Sequence, residues 1–436
     1  MFHTSARHML AASGLALSLA LPATAQQTLS AEEEAIKQAV EADFDAQLVF
    51  LEKIVNINSD TRNPEGVREV GKVFDTEFKD LGFTTSWIDM PAEMERGGHF
   101  VATHEGTPGK KALLIGHIDT VFPTTSPFQK FEREGGRATG PGIVDMKAGD
   151  AIILYALKAL KATGNLEQGS YKVFFTGDEE STGKPLDVSR HDLIEAGKWS
   201  DFALNFEGSG DGTAVIGRRG ASGWSLTTSG TRAHSSAIFS DSVGAGAIFE
   251  ASRILHRFYN EVRGPFGLTF NPGVIGGGTF VDQGANPAAQ NAYGKDNVVA
   301  QKTVVHGGLR FMSEADKEAA RAKMREIVAD HLPGTSAEIT FEDSYPAMTE
   351  NDASRRMLGV FSDVNVALGH GPLTAYPPEK RGAADSSFVA PHTPTMDGLG
   401  GFGGNGHTPE EWLDLEKQKF ATVRAAILLY RLMREE

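Results

Sequence analysis

Apolar residues at helical spacing alternate with short apolar runs through the first half of this chain. Ser30 and Glu33 have the form of a capping box, and Ile36, Val40, Phe44, Leu48 and Leu51 follow on one helical stripe. A second helix is expected over Gly66–Leu81, stopped by Gly82, with strands over Phe83–Asp89 and Phe100–His104. The runs Ala112–Ile115, Tyr171–Thr176 and Phe202–Phe206 are short and flanked by polar or glycine residues, which predicts strands buried on both faces. A helix over Asp150–Ala162 separates the first two of these. Alternating helix and strand of this kind makes an α/β layer.

From Thr213 the texture changes. Strands are predicted over Thr213–Gly217, Gly223–Ser229, Leu268–Ile275, Val298–Phe311 and Ala337–Glu342, with helices over Ser242–Tyr259 and Ser313–His331. That order suggests a small α+β two-layer sandwich, residues 213–344, inserted into an α/β catalytic domain made of residues 26–212 and 345–436. Beyond it come a helix over Asp352–Leu368, a strand over Met396–Leu399 and a last helix from Pro409 to about Arg434. Pro409 would sit in its first turn, with Trp412, Leu415, Phe420, Val423, Ile427 and Tyr430 on its apolar face.

Composition narrows the chemistry. At 436 residues, 40% hydrophobic and 23% charged, the chain can support two domains. It contains no cysteine, which excludes disulfides, thiolate metal sites and a cysteine nucleophile, so any metal must be held by histidine and carboxylate. A net charge of -15 argues against a nucleic-acid partner. Arg7 and His8 precede an apolar run from Met9 to Leu21 and an Ala-x-Ala ending at Ala25. This has the form of a signal peptide, residues 1–25, cleaved after Ala25 to leave a periplasmic or secreted protein without a membrane span.

The candidate chemistry collects at strand ends. His117 and Asp119 follow the first buried run, Asp178-Glu179-Glu180 the second and Glu207 the third. In an open parallel sheet the carboxyl ends of the strands border one crevice, where ligands gather. Adjacent acids there repel unless a cation, protonation or full solvent exposure offsets the cost. Asp145 lies in the glycine- and proline-rich stretch Gly140–Gly149, where it can cap the following helix or bridge two cations. His99 and His104 read as surface or strand-end histidines. Asp385 reads either as part of a pocket with Gly382–Ser386 or as a helix cap.

GHIDTV around His117, GPGIVDMKAG around Asp145, TGDEE at 176–180, the Glu207 strand end and GGNGHTPEE at 403–411 together resemble the co-catalytic zinc peptidases, a group that includes glutamate carboxypeptidase, acetylornithine deacetylase, succinyl-diaminopimelate desuccinylase, aminoacylase-1 and the dipeptidases. The form most resembled is glutamate carboxypeptidase. The resemblance implies a mixed-sheet, phosphorylase/hydrolase-like catalytic domain with an inserted lid that also serves for dimerisation. It implies two zinc ions per subunit. His117, Asp145, Glu180, Glu207 and His407 would be the ligands, with Asp145 bridging. Asp119 would orient His117, and Glu179 would be the general base. His234 would reach the cleft from the lid, Arg310 would hold the substrate's free carboxylate, and Asn297 would stand beside it. Glu207 leaves aminopeptidase and carboxypeptidase readings open. The function implied is hydrolysis of the amide bond of a C-terminal or N-acylated amino acid, the substrate being a small peptide or N-acyl amino acid and the protein a homodimer. The alternatives are an aminoacylase, deacetylase or dipeptidase of the same group, or a non-catalytic dimeric binding module on the same fold.

Overall fold

The computed structural model describes residues 28–107, 109–283 and 289–435. The signal-peptide segment 1–25 lies outside them. The main strands in chain order are β1 (Thr84–Ile88), β2 (His99–His104), β3 (Lys111–His117), β4 (Ser170–Thr176), β5 (Phe202–Asn205), β6 (Gly220–Gly230), β7 (Thr269–Gly278), β8 (Lys302–Phe311), β9 (Thr335–Asp343) and β10 (Thr395–Met396). The main helices are α1 (Ala31–Ala42), α2 (Phe44–Val55), α3 (Pro64–Asp80), α4 (Ala148–Ala162), α5 (His191–Trp199), α6 (Ala247–Arg257), α7 (Glu314–Ala329), α8 (Asp352–Ala367) and α9 (Leu415–Leu432).

One mixed sheet has the order β1-β2-β4-β3-β5-β10. Its strands β4, β3, β5 and β10 are parallel, while β2 runs antiparallel to both of its neighbours, β4 and the edge strand β1. The three apolar runs are buried on both faces because successive side chains point to opposite sides. Ala112 and Leu114 face the large core shared with α1 to α4, α8 and α9. Leu113 and Ile115 face a smaller core with Leu193 and Ala196 of α5. Complete burial of a leucine such as Leu114 stabilises the fold by roughly 1.5–3 kcal/mol. His117 pairs with Thr176 across β3 and β4, and Ile115 with Asn205 across β3 and β5, so the three strands end at one rim.

The chain leaves this layer after Arg218 and forms a second, antiparallel sheet of order β7-β8-β6-β9. One face of that sheet packs on α6 and α7 through its own core, including Trp224, Leu226, Leu309, Phe311, Ile254 and Met324. The other face carries small and polar residues.

The structure corrects several sequence-based expectations. The stripe from Ile36 to Leu51 belongs to two helices broken at Asp43, whose φ of -101° and ψ of 4° are not helical. The stretch Thr213–Gly217 is a strand only at Thr213–Ala214, and Met396–Leu399 only at Thr395–Met396. The last helix starts at Leu415, capped by Asp414, and not at Pro409. Trp412–Asp414 is instead a short strand pairing with Arg137–Thr139. The capping box at Ser30 and Glu33 is formed as expected.

Candidate active site

His117 ends β3 with its imidazole buried. Its Nε2 stands 3.2 Å from Asp145 Oδ1 and 3.7 Å from Glu207 Oε1. Its Nδ1 lies 3.1 Å from the carbonyl oxygen of Asp119 and 3.4 Å from Oδ1 of the same residue. The Asp119 carboxylate has further work: Oδ1 accepts the Glu179 N–H at 3.0 Å, and Oδ2 accepts the Glu180 N–H at 3.1 Å and the Thr61 hydroxyl at 2.5 Å. One buried carboxylate thereby fixes both the imidazole and the backbone of the two acids after β4.

Asp145 does not cap α4, whose N-terminus has no side-chain cap. Its second oxygen, Oδ2, lies 3.1 Å from His407 Nε2, which is also 3.1 Å from Glu180 Oε2. His407 has a φ of +66°, a backbone conformation that bulky side chains rarely adopt, and such strain collects at functional sites. Two glycines bring these segments together. A Cβ at Gly149 or at Gly400 would fall 2.0 Å from the carbonyl oxygen of Phe206, so only glycine lets the Asp145 and His407 segments close on Glu207.

The donor atoms converge. His117, Asp145 and Glu180 offer atoms within 4.8 Å of one another, and so do His117, Glu179 and Glu207. Burial pushes the Glu179 carboxyl well up, against the pull of His117 and with the help of Glu207, Asp385 and Glu180. Burial and the Asp145 charge push Glu207 up to about 7. Hydrogen bonds to Asp145 and Glu180 push His407 up to about 11. Glu180 Oε1 is buried without a hydrogen-bond partner among the described residues. Crowded carboxylates driven toward their neutral form, an orphaned oxygen, and two imidazoles on opposite oxygens of Asp145 make a site short of positive charge. A nitrogen and oxygen donor set without thiolate fits a borderline dication such as zinc, and the histidines argue against calcium.

Other predicted residues stand elsewhere. His234 is exposed, its Nδ1 bonded to Ser236, and it forms a backbone bridge to Val298 beside Asn297. Among the described residues no hydrogen bond or ion pair joins His234, Asn297 or Arg310 to the His117–His407 cluster.

Several contributing residues went unread in the sequence. The Glu411 carboxylate, fully buried, accepts the N–H groups of Gly142, Val144 and Asp145 at 3.1, 2.7 and 3.1 Å. Lys147 donates to the carbonyls of Ile54 and Ile57 at 3.0 Å. Arg190 lies buried between Asp178 (2.6 Å) and Asp385 (2.8 Å), and Asp385 also accepts the Thr176 hydroxyl. Asp385 is thus an ion-pair partner, and the short helix after it has no side-chain cap. Asp178 is not solvent-exposed, as a charge run would suggest, but buried, where its carboxylate pairs with Arg190 and accepts the Gly183 N–H at 2.8 Å. His99 is likewise buried rather than superficial: it donates to the Ser189 carbonyl and accepts the Gly177 N–H. Arg218 pairs with Asp397 at 2.7 Å. The Tyr345 hydroxyl donates to the Glu179 carbonyl at 2.8 Å and accepts from Thr182 at 2.8 Å. Each joins residues far apart in sequence, so no local pattern announces it.

A cavity of about 190 Å³ is lined by Asp145, Glu207, Arg381, Gly404 and Gly406. A larger one, about 400 Å³, lies between Lys37, Lys417 and Phe420 and holds none of the clustered donors.

The chain is similar to known proteins over most of its length. Carboxypeptidase G2 of a Pseudomonas species is 28% identical over 380 residues, covering 84% of each chain. An aminopeptidase from Bacillus cereus shares the fold with a TM-score of 0.68 at 20% identity, over 91% of this chain and 98% of that one. A dinuclear metal-binding peptidase from Bacillus subtilis does so with a TM-score of 0.63 at 15% identity, over 90% and 99%. The model of peptidase family M20/M25/M40 matches residues 113–432, a span that starts at the strand bearing His117 and runs past His407. With two histidines, one buried and one exposed, and carboxylates drawn from the ends of three parallel strands and two loops, this chain belongs to that family and is a metallopeptidase.

Proposed function

We propose that the protein is a two-zinc exopeptidase that releases a C-terminal amino acid, or the amino acid of an N-acyl conjugate, in the manner of a glutamate carboxypeptidase. The observation that carries this reading is the placement of His117 and His407 on the two oxygens of Asp145. Such a bridging carboxylate is what a pair of cations requires. His117 and Glu207 would hold one ion, Glu180 and His407 the other, with Asp145 shared. Zinc bound there would polarise the scissile carbonyl and lower the pKa of water.

The chain's own groups perform the rest. Glu179, half-buried and held by its N–H on Asp119, takes a proton from the attacking water and delivers it to the leaving nitrogen. Asp119 keeps the imidazole of His117 aimed at the site. Arg310 pairs with the free carboxylate of the substrate, for which a planar guanidinium fork is suited. His234, with Asn297 beside it, polarises the carbonyl from a second copy of the chain. Exposed Ile248, Phe249, Ile275, Phe280 and Tyr293 flank the edge strand β7 and favour pairing of two copies there, as a homodimer. The segment 1–25 directs export and is removed after Ala25, a processing that the mass of the mature protein checks.

The test is chelation followed by restoration with zinc, assayed on N-acyl amino acids and short peptides with a free carboxylate. Activity should vanish and return. Hydrolysis that survives complete removal of metal would end the proposal.

A further inference from the structure

We propose that the cavity of about 400 Å³ between the first and last helices is a second ligand site, which takes a free α-amino acid with an apolar side chain and slows the metal site when filled. The regulatory half of this inference rests on the exopeptidase reading above, in which a free amino acid is the product. The binding half does not.

The volume falls in the range of small-molecule sites, about 300–1,000 Å³. The apolar part of the lining consists of the Phe402 and Phe420 rings, Val423, and Leu368 at the end of α8. Phe402 and Val423 are buried, and Phe420 and Leu368 are half-buried. The rim carries both signs of charge. Lys417 Nζ, on α9, stands 2.8 Å from each carboxylate oxygen of Asp211, and Lys37 Nζ, on α1, stands 3.4 Å from Glu41. Solvent-facing pairs of this kind contribute little to stability and open at small cost. A lone anion or a lone cation would satisfy one member of such a pair and strand the other. A zwitterion satisfies both, its carboxylate on a lysine and its ammonium on an acid, and leaves its side chain to the rings.

Arg424 lies against the same two rings. Its guanidinium carbon is 5.1 Å from the centre of the Phe402 ring and 5.3 Å from that of Phe420, and the residue is 1% exposed. A fixed cation buried there penalises a ligand that brings positive charge alone. An amine without a carboxylate is the poorest fit.

Phe402 also belongs to the metal site. Its ring lines the remote cavity, while Gly401 and Gly403 on either side of it line the cavity that contains Asp145 and Glu207. These glycines are closely packed: a Cβ at Gly403 would strike the Trp412 carbonyl, and one at Gly401 the Leu413 and Ala148 side chains. A shift of the Phe402 ring therefore has little slack to absorb it before it reaches the wall of the metal cavity. Arg424 gives a second route, since it donates to Ser209 Oγ at 3.3 Å and Ser209 lines the metal cavity two residues after Glu207.

The test is calorimetric titration of the zinc-loaded full chain with L-leucine, beside 4-methylpentanoate and 3-methylbutylamine, which keep its side chain and one charge each. L-Leucine should bind at least about tenfold more tightly than either analogue. In turnover of an N-acyl amino acid it should lower kcat about twofold or more and leave KM unchanged, as a ligand outside the metal cavity does. Leu368→Trp, which fills the remote cavity, should weaken binding about tenfold or more and remove the inhibition, with turnover in the absence of L-leucine unchanged. Lys417→Gln, a change at the exposed rim, should weaken binding severalfold. Absence of L-leucine binding, equal binding of the analogues, or inhibition through a raised KM alone that persists in Leu368→Trp would overturn the inference. Binding with kcat unmoved would overturn its regulatory half. Binding that Leu368→Trp removes, in a parent that hydrolyses no conjugate, would support the site and overturn the exopeptidase reading instead.

Discussion

The Glu411 carboxylate accepts the backbone N–H of Asp145 at 3.1 Å, across 266 residues of sequence. The same carboxylate takes the N–H groups of Gly142 and Val144, so the path of the loop that presents Asp145 is set from beneath by a group that touches neither histidine. Glu411→Ala should leave the fold intact by circular dichroism and weaken metal binding about 10- to 100-fold, the usual cost of losing support behind a ligand. Competition with a chelator measures this. Parental affinity in the variant would show that the loop holds its course without Glu411.

Glu179 and Glu180 are adjacent, yet only Glu180 lies within 3.1 Å of His407. Glu179→Gln should therefore keep a full complement of metal by elemental analysis and lose about 10²- to 10⁴-fold in kcat, the range for a missing general base. Glu180→Gln should lose metal first. Turnover at the parental rate in metal-loaded Glu179→Gln would assign the base elsewhere.

Arg190, flanked by Asp178 and Asp385, has no exposed side-chain surface. Arg190→Met should destabilise the protein by about 3–5 kcal/mol, because it strands two buried carboxylates. Urea unfolding of the metal-free protein isolates this from effects on metal. A loss below about 1 kcal/mol would mean that the carboxylates find protons or water at little cost.

Glu33 joins the first helix to the last through Arg431 at 2.6 Å. Burial acts to raise its pKa, but the bonds to Arg431 and Ser30 outweigh this and leave it below 4.5. A depressed carboxylate pKa adds stability that is present above the unfolded value and is lost as pH falls through the folded one. The melting temperatures of the parent and Glu33→Gln should accordingly differ at pH 6–7 and draw together as pH drops below about 4. A constant offset across that range would remove the linkage.

Much of the site was legible because strand ends mark themselves. An apolar run stops, and the next polar residues must stand at the rim, which is how His117, Glu179, Glu180 and Glu207 were located together. The supports were hidden for the opposite reason. Arg190 and Asp385 are 195 residues apart, and an ion pair at that distance leaves no period in the sequence. Glu411 was masked by a false helix start, since Pro409 and the spacing of Trp412 and Leu415 satisfy a helical stripe equally well when a short strand precedes the helix.

Tyr345 stands at the point where the chain returns from the second sheet, and its hydroxyl holds the carbonyl of Glu179. The loop bearing the proton carrier is therefore tethered to the neighbouring layer by a phenol at Glu179 and, further along, by the ion pair of Lys184 with Glu342. A tilt of that layer by even a fraction of an ångström would tug the tether before it reached any metal donor, giving the molecule a mechanical link between how its two layers sit and how ready it is to move a proton.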